Sequence, residues 1–406
     1  VSDNGRRARR NTLAVCIIAR DEEELLPACL ESLHLDGRPI WDELVVGIDD
    51  RTTDNTREIA ERFGATILDV HWPDDDMQRD FAAARNFVEA ATECDYVYWQ
   101  DADEKLVYGH QEIIDLVQAG TRNSARPVIV FSRDEYGKKE IAYPRQDMLH
   151  KKGTHQWRGK LHEYTDSMPG VTSGLGEIFN GIQVEQMERP GGDRPHGNTF
   201  DLLRANFADS PDLPWAERHM FYLAREHAGQ PGHEQEGIAL VESMLKHSAV
   251  TSPLQRSHAC IIAAEMCARI GEPQETRNWY LKAIGEWAAW CEPHYAIGVF
   301  CYEIAVRQKQ EGAPNDVVHA LFVEAAGWLL ASTVHEPPAY FVDMTIYAWK
   351  RYQALSVALG QLGRLAEAHL WMQRAIAGEP ASEELKQQLL IIEEAMPDEV
   401  QAAVKS

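Results

Sequence analysis

The stretch Tyr96-Val97-Tyr98-Trp99-Gln100-Asp101-Ala102-Asp103-Glu104 (YVYWQDADE) decides the fold. It joins a short run, apolar on both faces, to an acidic turn. Such a run suits a central strand of a parallel sheet, and the carboxyl ends of those strands are where α/β proteins bind ligands. Two carboxylates two residues apart at that end suit a hard divalent cation, with Mg or Mn the natural choice. The cation's role would be to neutralise a leaving diphosphate.

Outward from this stretch, Leu13–Ile18 (LAVCII) and Leu44–Ile48 (LVVGI) are two further strand-length apolar runs. Helical periodicity lies between the strands. Leu25, Leu26, Cys29, Leu30 and Leu33 mark one apolar face behind an N-cap at Asp21, and Phe81, Ala84, Val88 and Ala91 mark another. Thr53 or Asp54 can cap a third helix ending near Phe63-Gly64. Strand, helix, strand in this order predicts βαβ units and an α/β fold. A loop into a capped helix accounts for Thr53 and Asp54 but leaves Asp49 and Asp50 unexplained. A carboxylate there can accept from the N3–H of a pyrimidine, and Arg85-Asn86 can reach the same pocket. The middle, about 132 to 200, reads as short strands and mobile loops, with PGGDRPHG at 190–197.

From about residue 200 the strand signal ends and helix pairs follow. Ala264, Gly271 and Ala283 repeat the offsets of Ser356, Gly363 and Ala375, and Ala368 and Pro380 complete the later unit. A weaker unit runs from Phe221 through Gly232 to Leu245. Small residues where helices approach, and glycine at the turn, form the tetratricopeptide pattern. A nonrepetitive helical bundle is the competing reading. The organisation expected is a disordered basic arm at 1–11, an α/β domain at 12–205 and an all-α repeat domain at 206–406.

Bulk properties narrow the function. Net charge is −24, which over a uniform surface would repel nucleic acid and anionic membrane. The segment Lys151–Lys160 (KKGTHQWRGK), with Lys138 and Lys139 nearby, is a basic exception that can receive a phosphate-bearing ligand or remain a solvated loop. No apolar run approaches the ~18 residues of a membrane span. The start, VSDNGRRARRNT, is not followed by a signal-type apolar stretch. The seven cysteines have no C-x-x-C pair and lie in apolar patterns, as expected of reduced thiols in a cytoplasmic protein.

The segments CIIARDEEELLPACLESL, VVGIDDRTTDNT, AAARN and YWQDADE, in that order, resemble the nucleotide-binding half of family 2 glycosyltransferases with the GT-A fold, a Rossmann-like mixed sheet. WRGKLHE resembles the W-x-G-x-x-H-E segment of bacterial members, several of which carry C-terminal tetratricopeptide helices. The resemblance implies metal-dependent, inverting transfer of a sugar from a nucleotide-sugar donor, with UDP expected as the nucleotide. It implies that Ala19, Asp49 and Arg85 line the nucleoside pocket, and that Asp101 faces ribose or water on the metal. Asp103 would bind the Mn or Mg ion, His162 would be a further ligand, and Glu163 the general base. Trp157 can wall the sugar pocket. The bland alternative pairs Glu163 with Lys160 or Arg158, and Asp166 and Glu185 are rival bases. Related chains often have a histidine in the strand after the H-E loop. Here the region reads Gly181-Ile182-Gln183-Val184-Glu185-Gln186, which leaves His196 as an outside candidate.

Other classes fit less well. No G-x-G-x-x-G follows the first strand, no Walker A motif is present, and no second histidine follows Glu163 at zincin spacing. A nucleotidyltransferase would open with a glycine-rich phosphate loop. A non-catalytic tetratricopeptide scaffold with a degenerate nucleotide-sugar domain stays open. So does the acceptor, which can be a protein or peptide, a glycan or modified DNA. The repeats can present that acceptor or build a homo-oligomer.

Overall fold

β1 (Leu13–Ala19) is buried along nearly its whole length, between β4 and β6 and beneath the helix that spans Phe81–Ala90. The computed structural model describes residues 9–72, 80–120, 126–133, 139–161, 163–168, 171, 181–189, 201, 203–204, 216–246, 252–338 and 342–405. The chain divides into two units, Val1–Asp209 and Ser210–Ser406.

In the first unit, α1 (Leu26–Ser32) follows β1, and a small hairpin of β2 (His34–Leu35) and β3 (Arg38–Pro39) leads to β4 (Glu43–Asp49). α2 (Thr56–Arg62), β5 (Thr66–Val70), α3 (Phe81–Ala90) and β6 (Tyr96–Trp99) come next. β7 (Glu104–Tyr108), α4 (His110–Ala119), β8 (Arg126–Arg133) and β9 (Lys139–Lys151) follow, then β10 (His155–Arg158), β11 (Tyr164–Ser167) and β12 (Gln183–Gln186). The sheet runs β5-β4-β1-β6-β9-β8-β12-β7. The first four strands are parallel, β9 is antiparallel to both its neighbours, and β12 is parallel to β8 and antiparallel to β7. The apolar runs predicted the parallel half of this sheet, and the whole is the mixed α/β sheet that the GT-A resemblance implied.

Register brings the strand ends together. Ala19 lies beside Ile48, and Cys16 beside Trp99, so the chain leaves β1, β4 and β6 on one edge of the sheet. Gly47, inside β4, permits a close layer above it. A Cβ there would lie 2.4 Å from Val88 Cγ2 on α3 and 2.9 Å from Val70 Cγ2, so this strand must carry glycine for α3 to reach its depth.

Several local expectations change. Asp21 does not cap α1: the helix begins at Leu26 with Leu25 at its N-cap and a proline in its first turn. Asp21 instead adopts φ +49° and accepts from the Thr53 backbone and hydroxyl. Asp54 does satisfy the start of α2, through the Thr56 N–H at 2.9 Å. The buried stripe of α3 is Ala82, Ala84, Arg85, Val88 and Glu89, while Ala91 is exposed. Periodicity of apolar residues cannot mark a stripe that buries two charges. The middle segment is more regular than expected, since β8 and β9 form a long antiparallel pair. Of the expected disordered arm, residues 9–11 are described: Arg9 pairs with Asp95, Arg10 with Asp42, and the Asn11 amide donates to Val117 O. Residues 1–8, PGGDRPHG and Lys138 lie outside the described residues.

The second unit is helical. It contains α5 (Ala216–Gly229), α6 (Glu234–Lys246), α7 (Pro253–Arg269), α8 (Pro273–Glu286), α9 (Cys291–Gln310) and α10 (Asn315–Ser332). A π-helical turn (Ile346–Lys350) then runs into α11 (Arg351–Gln361), followed by α12 (Leu365–Gly378), α13 (Glu383–Ala395) and α14 (Asp398–Lys405). Gly232, Gly271 and Gly363 occupy the turns of three helix pairs at φ +93°, +80° and +73°, where an L side chain would be strained. Ala264, Ala283, Ala368 and Ala375 are fully buried. Ser257 Oγ donates to Ala283 O and Ser356 Oγ to Ala368 O, so each hydroxyl pins its neighbouring helix. The helices form a tetratricopeptide-like array, and α9–α10 add a pair the sequence did not signal. All seven cysteines are buried and unpaired. Among the described residues no helix is long and apolar enough to cross a membrane.

Candidate active site

The site centres on Arg85, which α3 delivers to the sheet edge. α3 starts at Asp80, whose carboxylate accepts from Ala83 N at 2.8 Å. Its first residue also reaches across the fold, since Phe81 N donates to Lys160 O at 3.0 Å. One turn on, Asn86 grips Trp157 at both backbone polar atoms: its amide donates to Trp157 O and its carbonyl accepts from Trp157 N, each at 2.9 Å. α3 thereby fixes the loop between β10 and β11, which carries Glu163.

Arg85 is only 3% exposed. Its Nη2 donates to Asp101 Oδ1 and its Nε to Glu163 Oε1, each at 2.8 Å. Its guanidinium lies 5.0 Å from the Trp99 ring and 4.6 Å from the Trp157 ring, between two indoles set edge to face. A delocalised, weakly hydrated cation suits such a place, where each carboxylate and each ring face offsets its lost hydration. The structure therefore joins Asp101, Glu163, Arg85 and Trp157. The sequence expectation set Arg85 against the nucleoside, whereas its guanidinium spans the two carboxylates. Glu163 pairs with neither Lys160 nor Arg158 in the described contacts. Arg158 pairs with Asp166 at 3.1 Å, which ties up one rival base, and Glu185, the other, pairs with Lys105 at 3.3 Å.

Beneath this centre is a buried relay. Trp99 Nε1 donates to Glu89 Oε2 at 3.1 Å, and Glu89 Oε1 meets His150 Nε2 at 3.1 Å. Burial pushes the Glu89 carboxyl up, but the hydrogen bond and charge of His150, with the Trp99 N–H, outweigh it and hold it below its ordinary value. His155, against the same cluster, is pushed down to about 4 by burial and by His150. Trp157 Nε1 is buried without an acceptor among the described residues.

The acidic turn is held from both sides. Asp101 N donates to the wholly buried Glu104 carboxylate at 3.2 Å, and Cys29 Sγ lies 3.4 Å from Asp101 O. The end of β12 holds Asp103: Met187 N donates to its carbonyl at 2.8 Å and Gln186 Nε2 to its Oδ2 at 2.9 Å. So the stretch where related chains carry a histidine supplies an amide to Asp103. The local potential is negative. Burial raises the Cys29 thiol well above its ordinary value, and Glu104, Asp101, Asp103 and Glu22 raise it further.

Ala19 and Asp49 end β1 and β4 on the same sheet edge. Asp49 is buried and accepts from Arg51 N at 2.9 Å, Nε at 3.1 Å and Nη2 at 3.0 Å, with Arg20 Nε 3.7 Å away. Burial raises its carboxyl, but Arg51 and Arg20 prevail and it lies below the usual value. Two cations at this corner, and an Arg189–Glu22 pair in which Arg189 Nη2 meets both carboxylate oxygens at 2.6 and 2.8 Å, went unread in the sequence. The signal was present in ARDEEE, which contains Arg20 and Glu22 beside the strand end. His162 and His196 lie outside the described residues.

Two other features lie apart from this centre. A shallow depression of about 790 Å³ is lined by Glu23, Glu24, Glu58 and Glu61 with Arg62, and four carboxylates against one guanidinium disfavour a diphosphate. Among the described residues, the group of three His, Cys, Asp or Glu donors close enough to hold an ion is His227, His233 and Glu236, in the second unit.

Residues 14–175 match the model of Glycosyl transferase family 2. A TPR repeat-containing protein of Synechococcus elongatus is 42% identical over 95 residues, 23% of this chain and 21% of that protein. The chain thus spans about a fifth of the length of that curated relative. Among solved structures, S. aureus TarS 1-349 in complex with UDP-GlcNAc is 12% identical, covering 69% of this chain and 93% of that one at a TM-score of 0.39. The MamA protein is 12% identical over 45% of this chain and 81% of that one, at a TM-score of 0.32.

Proposed function

We propose that this chain, a glycosyltransferase family 2 region followed by a tetratricopeptide-like helical region, moves a sugar from a UDP-sugar to an acceptor nucleophile with inversion. The observation that carries this reading is the Arg85 bridge. One buried guanidinium holds Asp101, from the acidic turn, and Glu163, from the β10–β11 loop, at 2.8 Å each. A turn suited to a metal and a nucleotide and a carboxylate suited to proton transfer are thus fixed to one rigid cation.

The donor's nucleoside would lie at the corner of Ala19 and Asp49, with Asp49 accepting from the pyrimidine N3–H and Asp101 facing the ribose. Asp103 and Asp101 would hold Mn or Mg. The fit is favourable, because the donors are carboxylate oxygens, which suit a hard divalent cation. Gln186 orients the Asp103 carboxylate. When bound, the ion supplies Lewis-acid neutralisation of the diphosphate leaving group. His162 is retained as a proposed further ligand.

Glu163 would act as general base. The acceptor oxygen forms its bond to the anomeric carbon as the bond to the diphosphate breaks, and the acceptor proton passes to the Glu163 carboxylate. Arg85 fixes the rotamer of Glu163, so the base is preorganised. Trp157, held by Asn86, walls the sugar side.

The test is incubation of the full chain with a panel of nucleotide sugars plus Mn or Mg, reading released nucleoside diphosphate. A UDP-sugar should be turned over fastest, and Glu163→Gln should cut turnover by ~100-fold or more with little change in UDP affinity. Tighter calorimetric binding of GDP than UDP would remove the pyrimidine assignment. Near-normal turnover in Glu163→Gln would remove the base.

A further inference from the structure

We propose that the first helix pair of the second unit carries a separate transition-metal site, built from His227, His233 and Glu236, that binds Zn(II) and staples α5 to α6. The three donors come from the two sides of one turn. His227 lies on the last turn of α5, its residue 3% exposed. His233 immediately precedes α6, and Glu236 is in that helix's first turn.

The backbone sets their approach. Gln230 N donates to His227 O, His233 N to Gln230 O, and Gly232 turns the chain at φ +93°. Gly237 then lets α6 close on the histidine, since a Cβ there would lie 2.9 Å from His227 Cβ and 2.5 Å from Met266 Sδ. The His227 ring is therefore positioned by packing, while His233 and Glu236, at 39% and 61% side-chain exposure, can adjust to an incoming ion.

Distances favour one shared centre. His233 Nδ1 lies 3.4 Å and His227 Nδ1 4.0 Å from Glu236 Oε2, and the three donors fall within 4.8 Å of one another. A tetrahedral ion with bonds of about 2.0–2.1 Å holds its ligand atoms roughly 3.3–3.5 Å apart. Of the three pairs, His233–Glu236 already has that spacing, and His227–Glu236 and the two imidazoles, all within 4.8 Å, close on it by movement of the exposed His233 and Glu236 side chains.

Chemistry selects the ion. Two imidazole nitrogens and a carboxylate, without thiolate, suit Zn(II) with water completing the shell, and they disfavour Mg and Ca, which take oxygen donors. Glu234, next to the same turn, is otherwise engaged: it accepts from Gly232 N at 2.8 Å and pairs with Arg269 at 3.5 Å. It braces the turn, and Glu236 is left to face the imidazoles. Protons compete with the metal for its ligands, so affinity should weaken as the solution is acidified.

The test uses the metal-free full chain titrated with Co(II) and, separately, Zn(II). Wild type should bind one Co(II) with the intense visible absorption of a tetrahedral site, displaced by one equivalent of Zn(II), and Zn(II) should raise Tm. His233→Ala and Glu236→Gln, both at exposed positions, should each weaken Zn(II) at least ~10-fold, since even altering a residue behind a ligand costs that much. Asp103→Ala should retain the Co(II) signal, which separates this site from the acidic turn of the first unit. Absence of a tetrahedral Co(II) spectrum in wild type, or unchanged Zn(II) binding in both variants, would overturn the proposal.

Discussion

The Arg85 bridge can be measured by a double-mutant cycle. Arg85→Met keeps the apolar contacts with Trp99 and Trp157 but removes the charge and both hydrogen bonds. Removing one partner of a buried ion pair costs about 3–5 kcal/mol. Here Asp101 and Glu163 keep 25% and 14% side-chain exposure, so water can partly rehydrate them and the lower figure, about 3 kcal/mol, applies. Glu163→Gln keeps an oxygen for Arg85 Nε and should cost about 1–2 kcal/mol. The two side chains touch directly, so the double variant should fall short of additivity by ~2 kcal/mol. Calorimetric unfolding of the four full-length proteins reads this: at roughly 2–4 °C per kcal/mol, Arg85→Met should lower the first unit's transition by about 6–12 °C. Arg85→Lys keeps the charge but not the fork and should fall between. If Arg85→Met melts within ~2 °C of wild type, or if the two losses simply add, the bridge is not the organising contact.

Two other outcomes follow from the geometry. Asp103→Ala should abolish transfer with little change in Tm, because a turn carboxylate contributes little to stability, and EDTA should do the same, reversibly with Mn or Mg; full activity in excess chelator would remove the metal assignment. Glu292 on α9 is buried against Tyr347 Oη at 2.5 Å, and burial pushes its carboxyl from 4.5 up to about 8. A folded-state value raised above the unfolded one gives stability that is complete below pH 4.5 and is lost as pH rises towards 8. Glu292→Gln should flatten that slope in unfolding measured between those limits, and an unchanged slope would place the titration elsewhere.

Much of the frame was readable in sequence because burial writes itself in apolar runs. β1, β4 and β6 fell where LAVCII, LVVGI and YVYW stood. Gly232, Gly271 and Gly363 marked turns because only glycine takes those φ values without strain. What sequence hid was polar burial. Arg85 and Glu163 stand 78 residues apart, and no periodicity links them. Glu89 and His150 look like surface residues until Trp99 is known to need an acceptor. The β8–β9 pair was unread although Val128–Phe131 is an apolar run in β8, because β9 is broken by charges and Pro144 and lacks the alternation that marks a half-buried strand. Asp21 looked like a cap because a carboxylate before an apolar run often is one, yet here it serves the loop after β4.

The absence of a side chain at Gly47 has a reach beyond its own strand. Val88, which occupies that space, sits three residues after Arg85 on the same helix. The height of α3 over the sheet, and with it the depth of the guanidinium, is therefore gauged by a single hydrogen atom two strands away from Trp99. A survey of random substitutions would flag Gly47 alongside the acids of the turn, although it touches neither substrate nor ion. Conversely, trimming Val88 would give α3 slack, and the bridge could loosen with every one of its own atoms intact.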